Sequence, residues 1–372
     1  MTSRSTPFPE VPVWDIWVRL FHWGLVATVA LSALTGFFGD ARWLAVHLAS
    51  GGTAAALVLA RIVWGVFGGG HARFADFVPR PRALLSHVIG QDHRHRGHNP
   101  VGALMVLAVF VAILALAITG LVILGGWLRL GPLAADLGTG AGHAARELHE
   151  AVALGVAVLV LMHLGGVLYE SRRSDENLAR AMVTGLKEAR PGDIEPDGVR
   201  PRAGRAVKTI AAMAAMLLSG GLILSMRPVP NQPVAAIDPL TAEECGACHM
   251  VFHPSLLPAR SWQQLMAGLD THFGENAWID AGDAAEIEAW LTANAAETVD
   301  TAPARIFAQP APEAPFTLTE TPAWQRLHGT LPEALFNRAP IFTRANCAAC
   351  HADAETGRFS PFAISIPKET TR

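Results

Sequence analysis

The sequence predicts an all-α chain, a bundle of membrane-spanning helices followed by an exported, mostly helical domain, and three observations predict it. Hydrophobic residues make up 51% of the 372 positions and charged residues 16%, against the roughly 25% charge of a soluble domain. Five apolar runs, at residues 20–38, 44–67, 101–124, 148–169 and 206–226, approach the ~20 residues that cross a bilayer as a helix. The 146 residues after Met226 change character, with 17 Asp and Glu against 9 Lys and Arg and with every cysteine of the chain.

Arginine placement orients the spans, because positively charged loops stay in the cytoplasm. The segment between spans two and three carries Arg73, Arg80, Arg82, Arg94 and Arg96, and that between spans four and five runs from Arg172 to Lys208 with nine basic residues. The other two connections hold only Arg42, and Arg129 with Arg146. The amino terminus is therefore expected in the cytoplasm and the carboxyl terminus in the periplasm of a bacterial inner membrane. Span one reads as a retained anchor, since no small-residue cleavage pattern follows it. Expected boundaries are 1–190 for a four-helix membrane domain, 191–239 for a linker, fifth span and tether ("RPVPNQP"), and 240–372 for the exported domain, which "AQPAPEAP" divides in two.

The cysteines fall as "CGACH", Cys245, Cys248 and His249, and "CAACH", Cys347, Cys350 and His351. Two thioethers to a haem with the adjacent histidine on iron need this C-x-x-C-H spacing. A redox dithiol or a zinc site does not require the histidine, so two covalently bound c haems are expected.

The fourth span is bracketed by His149 and His163, in "HEAVALGVAVLVLMH". Fourteen helical residues rise about 21 Å and turn about 1400°, close to four full turns, so both imidazoles lie on one face near opposite sides of the bilayer. Histidine inside a span is costly and marks a functional site with a partner in the bundle. His22, at the start of span one, matches the depth of His163; His47, at the start of span two, matches that of His149. Each pair makes a bis-histidine site, and two b haems are expected.

"VWDIWVRLFHW", "ARIVWG", "GHNPVG" and the His149/His163 pair resemble the bacterial cytochrome b561 and hydrogenase b-type cytochrome subunit family over roughly residues 10–190. The resemblance implies a bundle of antiparallel helices holding two b haems, the same crossed pairing, and exchange of electrons with membrane quinone. In that setting Arg19 and Arg61 face haem propionates, as guanidinium forks suit carboxylates, or are ordinary membrane-border arginines.

"CGACHMVFHPSLLPARSW", "LDTHFGENAWID" and "NCAACHADAETGRF" resemble the dihaem cytochrome c proteins over about 240–367. Members pair each c haem with a second histidine, which implies His272 for the first and His328 for the second. His272 lies in a Gly-bounded loop before the helical "DAAEIEAWLTAN"; His253, Met250 and Met266 remain competitors. "HVIGQDHRHRGHNP", with His87, His93, His95 and His98, reads as a solvated loop, and "ESRRSDENLARAMVTGLKEARPGD" as an amphipathic surface helix.

The expected function is a membrane-bound tetrahaem relay from quinol through b and c haems to a soluble periplasmic acceptor, which the dihaem resemblance makes a small oxygen-binding monohaem cytochrome c. The alternatives are a surface oxidoreductase acting on oxygen species or metal ions, and inward flow that reduces quinone. The bilayer and the quinone pool are expected partners, nucleic acid is not, and no catalytic residue is assigned.

Overall fold

A computed structural model of the chain describes residues 8–79, 81–89, 94–193, 200–234, 236–310 and 312–368. Among them are five helices long and apolar enough to cross a membrane. They are α1 (Ile16–Phe37), α2 (Leu44–Phe67), α3 (Pro100–Val122), α4 (Thr139–Arg173) and α5 (Ala203–Ser225). Side chains such as Leu31, Val111, Leu161 and Leu218 stand exposed on them, an apolar outer surface suited to lipid. The bundle core is small: Ala54, Val58, Phe110 and Ile113 are buried together, with the Phe21 ring edge-on to Phe110 at 5.7 Å.

The sequence motifs are local devices that start and join these helices. Asp15 caps α1, accepting from the Val18 amide at 2.8 Å, and its other oxygen accepts from Trp64 Nε1 of α2 at 3.0 Å. "VWDIW" and "ARIVWG" are thus two ends of one contact. In "GHNPVG", Asn99 accepts from the Gly102 amide at 2.7 Å and Pro100 takes the first helical position, where its missing N–H costs nothing. Strand β1 (Glu10–Pro12) pairs antiparallel with β2 (Leu186–Glu188).

Two expectations are corrected here. The segment read as one amphipathic helix is three pieces: α4 runs on to Arg173, a short helix spans Leu178–Thr184, and β2 follows. Asn177 caps the short helix and Gly185, at φ 83°, ends it in a left-handed turn, so the helix cannot run through. The residues read as a solvated loop include His98, whose ring lies 4.6 Å from that of Trp14 and 4.8 Å from that of Phe77. Its Nδ1 is enclosed with no hydrogen-bond partner among the described residues, and burial, then the neighbouring Arg61, hold its pKa down to about 3. His93 lies outside the described residues.

Contacts divide the chain into two compact units, Met1–Gly120 with Ala145–Gly221, and Leu121–Ala144 with Leu222–Arg372. The second unit contains α6 (Pro239–Gly246), α7 (Ala259–Met266), α8 (Ala281–Ala293) and α9 (Pro322–His328). One core gathers Leu257, Trp262, Met266, Ile287 and Leu291, the other Trp324, Leu335, Phe336 and Ile341. His253 ties the halves together: a Cβ on Gly357 would fall 2.6 Å from its Nδ1. The "RPVPNQP" segment, read as a tether, is bonded along its length: Arg227 pairs with Asp136, the Pro230 carbonyl accepts from Arg129 at 2.8 Å, and the Asn231 carbonyl accepts from the Asp300 amide at 2.8 Å.

Candidate functional site: four facing histidine pairs

The fold brings eight histidines together in four pairs with nearly one separation. Ring centres are 6.4 Å apart for His22 and His163, and 6.2 Å for His47 with His149, His249 with His272, and His328 with His351. Imidazoles in van der Waals stacking sit closer than this. Two imidazoles bonded to one metal from opposite sides, at about 2 Å per metal–nitrogen bond, have ring centres roughly 6 Å apart. Each pair therefore fits a single iron between its rings.

The outer nitrogens support the same geometry. A ligating imidazole characteristically donates its other N–H to a fixed acceptor, which sets ring orientation and raises ligand basicity. His47 Nδ1 donates to the Ser32 carbonyl at 3.1 Å. The Thr119 hydroxyl donates to the Ala115 carbonyl at 2.8 Å, so His149 Nδ1 donates to the Thr119 oxygen at 2.9 Å. In the second unit His249 Nδ1 donates to the Met250 carbonyl at 2.6 Å and His328 Nδ1 to that of Trp324 at 3.2 Å. In all four Nδ1 is engaged, which leaves Nε2 as the nitrogen for a metal. Ser32 and Thr119 escaped the sequence reading; for Thr119 the signal available was a lone hydroxyl residue within an apolar span, while Ser32 acts through its backbone carbonyl and leaves no such signal. Gly36 gives the His47 ring room, since a Cβ there would lie 3.1 Å from it and the ring would have to shift by a few tenths of an ångström.

The competitors for the first c-type site are otherwise engaged. His253 is fully buried, its Nδ1 on the Ser255 hydroxyl at 2.8 Å and its Nε2 donating to the Val234 carbonyl at 3.2 Å, so neither nitrogen is available. Met266 is buried in the core around Trp262. Met250 Sδ accepts from the Ala348 amide at 3.4 Å, which joins the two C-x-x-C-H segments. Phe273 and Phe359, in left-handed backbone at φ 52° and 47°, set their rings 4.9 Å from His272 and 5.1 Å from His351. Such backbone is costly for a bulky residue and marks functional positions.

Cys245, Cys248, Cys347 and Cys350 carry no disulfide. Burial pushes the Cys347 thiol up to about 11 and raises Cys245 and Cys350 as well. A redox dithiol has the opposite character, a lowered thiol pKa. Of the two arginines singled out, Arg19 donates to the Thr184 carbonyl at 2.5 Å, and its enclosed Nε has no partner among the described residues. Arg61 is buried, donating to the Ala72 carbonyl at 3.1 Å, with its guanidinium 5.8 Å from the Phe74 ring and 6.0 Å from that of Phe77.

Comparisons with known proteins identify two domains in the chain. Residues 13–185 match the model of the prokaryotic cytochrome b561 family, and residues 241–359 that of dihaem cytochrome c. A probable Ni/Fe-hydrogenase B-type cytochrome subunit from Rhizobium leguminosarum bv. viciae is 23% identical over 218 residues, 47% of this chain and 88% of that protein. A dihaem cytochrome c of known structure from Rhodobacter sphaeroides is 40% identical, covering 33% of this chain and 96% of its own, with a TM-score of 0.29. Another, from Shewanella baltica OS155, is 32% identical over 35% of this chain and 92% of its own, with a TM-score of 0.28. Residues 13–185 thus form a prokaryotic cytochrome b561 domain and residues 241–359 a dihaem cytochrome c domain, and together they make the chain a membrane electron-transfer cytochrome.

Proposed function

We propose that the chain oxidises membrane quinol and passes the electrons through two b-type and two c-type sites to a soluble periplasmic acceptor. The carrying observation is the common spacing of the four histidine pairs, 6.2 to 6.4 Å. Haem held in each pair supplies a one-electron carrier. His22 with His163 and His47 with His149 would hold the haems of the bundle, and His249 with His272 and His351 with His328 those of the second unit. Cys245, Cys248, Cys347 and Cys350 supply the thioethers. Arg19 and Arg61 have donors left over for propionates near the His22/His163 pair.

The positive-inside pattern supports placing the His22/His163 end at the cytoplasm and the C-terminal unit in the periplasm. The acidic balance after Met226, 17 against 9, favours an acceptor with a basic face, found by electrostatic steering. A small monohaem cytochrome c, including an oxygen-binding one, has the size and chemistry for that role.

The test is anaerobic stopped-flow spectroscopy of the full protein in detergent, mixed with menaquinol or ubiquinol, resolving b-type from c-type bands. Reduction of the b-type bands followed by the c-type bands is expected. Filling of the c-type bands first by a soluble donor, with no response to either quinol, overturns the outward direction.

A further inference from the structure

The two pairs of the bundle differ in what surrounds them. At the His47/His149 pair both outer nitrogens are bonded. Toward the His22/His163 pair, Arg19 Nε, His22 Nδ1 and His98 Nδ1 are enclosed with no hydrogen-bond partner among the described residues. A native fold rarely leaves such atoms unpaired, and each calls for a group that fills the place. Two guanidiniums stand at the same end. Arg61 is buried against the Ala72 carbonyl and Arg19 bonds the Thr184 carbonyl. Neither makes an ion pair with a carboxylate among the described residues. Asp15 acts on Arg61 only from a distance, its oxygens being taken by the Val18 amide and Trp64 Nε1. A buried guanidinium is costly without an anion.

His98 is held firmly at this end. Its ring packs against Trp14, 4.6 Å away and inclined by 59°, and against Phe77, 4.8 Å away and inclined by 40°. The chain reaches it by a close approach, since a Cβ on Gly97 would fall 2.7 Å from His71 Nδ1. Burial, then the neighbouring Arg61, His71, Lys187 and His163, hold its pKa down to about 3. At neutral pH it is therefore an uncharged imidazole with one N–H to donate, within electrostatic reach of His163. We propose that His98 donates from Nδ1 to a propionate carboxylate of the haem held between His22 and His163, beside Arg61 and Arg19. A carboxylate fits each of these features: it accepts from the orphaned nitrogens, it neutralises the guanidiniums, and haem brings it to this end. A quinone carbonyl accepts the bond but leaves both guanidiniums without an anion. The assignment rests on the reading that His22 and His163 hold haem, and not on quinol as donor or on the direction of flow.

The experiment compares wild type, His98→Phe and His98→Gln as full-length protein in detergent. Phe keeps a ring against Trp14 and Phe77 and removes the N–H; Gln gives up the ring and keeps an N–H. Loss of b haem to an excess of a haem-scavenging protein is timed, with the haem of the His47/His149 pair as internal control. The haem of the His22/His163 pair is expected to leave roughly tenfold faster from His98→Phe, the effect of losing a hydrogen bond to a charged group, and at the wild-type rate from His98→Gln. Its midpoint potential is expected to fall in His98→Phe, because an unbonded carboxylate concentrates negative charge that favours ferric iron. The reverse order, fast loss from Gln and slow from Phe, makes His98 a packing residue and overturns the proposal. Unchanged haem retention in His98→Phe, with slower reduction by quinol alone, overturns it as well. If neither variant folds, resonance Raman spectra of the wild type decide. The propionate-bending band that is lost in His163→Ala is expected at the frequency of a hydrogen-bonded carboxylate, and a band at the free-carboxylate frequency overturns the proposal. Full b-type absorbance in His163→Ala overturns the haem-ligand reading itself, and the assignment of His98 with it.

Discussion

At the scale of single residues, groups one step removed from the gap between rings hold the arrangement. Thr119 illustrates it: its hydroxyl proton is spent on the Ala115 carbonyl, which makes its oxygen an acceptor for His149. Thr119→Val keeps the shape and deletes that acceptor. Haem at the His47/His149 pair is then expected to be retained roughly tenfold less firmly, and its reduction potential to rise as the imidazole becomes less basic. A redox titration resolved in the b-type bands checks both. His253 makes the contrasting case. His253→Ala leaves the Val234 carbonyl and the Ser255 hydroxyl without their buried partner, which costs about 1–3 kcal/mol. The expected result is a lower denaturation midpoint for the dihaem unit, with c-type spectra and potentials unmoved; a changed axial-ligand signature would mean that His253 ligates iron.

At the scale of elements, helix starts are where this chain invests its polar residues. Asp15 caps α1 and holds Trp64 of α2, so one carboxylate sets both the entry of α1 and its contact with α2. Asp15→Ala removes a cap worth about 1 kcal/mol and a charge-assisted bond of about 1.5–3 kcal/mol. Thermal loss of the b-type absorbance is expected at lower temperature, while the c-type bands keep theirs. The five spans and the C-x-x-C-H segments were legible in the sequence because each depends on neighbours within a few turns of chain; the start of α4, nine residues before its apolar run, was not. The segment after α4 was not: its apolar spacing suits a helix, and the left-handed Gly185 and the strand pairing with Glu10–Pro12 override it. His98 was misjudged for a related reason, since its polar neighbours in sequence conceal that Trp14 and Phe77 enclose it.

At the scale of the whole molecule, charge is divided as function requires. The membrane helices carry little, the segments joining them hold most of the arginines, and the region after Met226 is acidic. Encounter with a basic redox partner is therefore expected to be fast at low salt. Its rate should fall steeply as ionic strength rises through about 0.1 M, where the screening length shrinks to about 10 Å. Stopped-flow oxidation of the reduced protein by a basic monohaem cytochrome c across a salt series checks this; a flat profile would point to an apolar contact.

By itself the sequence determined the number of the spans, the C-x-x-C-H motifs, and which histidines of the spans pair with one another. Each of these follows from local chemistry or from the fixed rise and turn of a helix, which act along the chain. The tertiary structure alone decided what lies across space: the Thr119 and Ser32 acceptors behind two histidines, the engagement of His253 and Met250 elsewhere, and the Asp300 carboxylate at the head of a helix 161 residues away in sequence. Such contacts leave no periodic trace, because a hydrogen bond specifies two atoms and a distance, not an interval in the sequence.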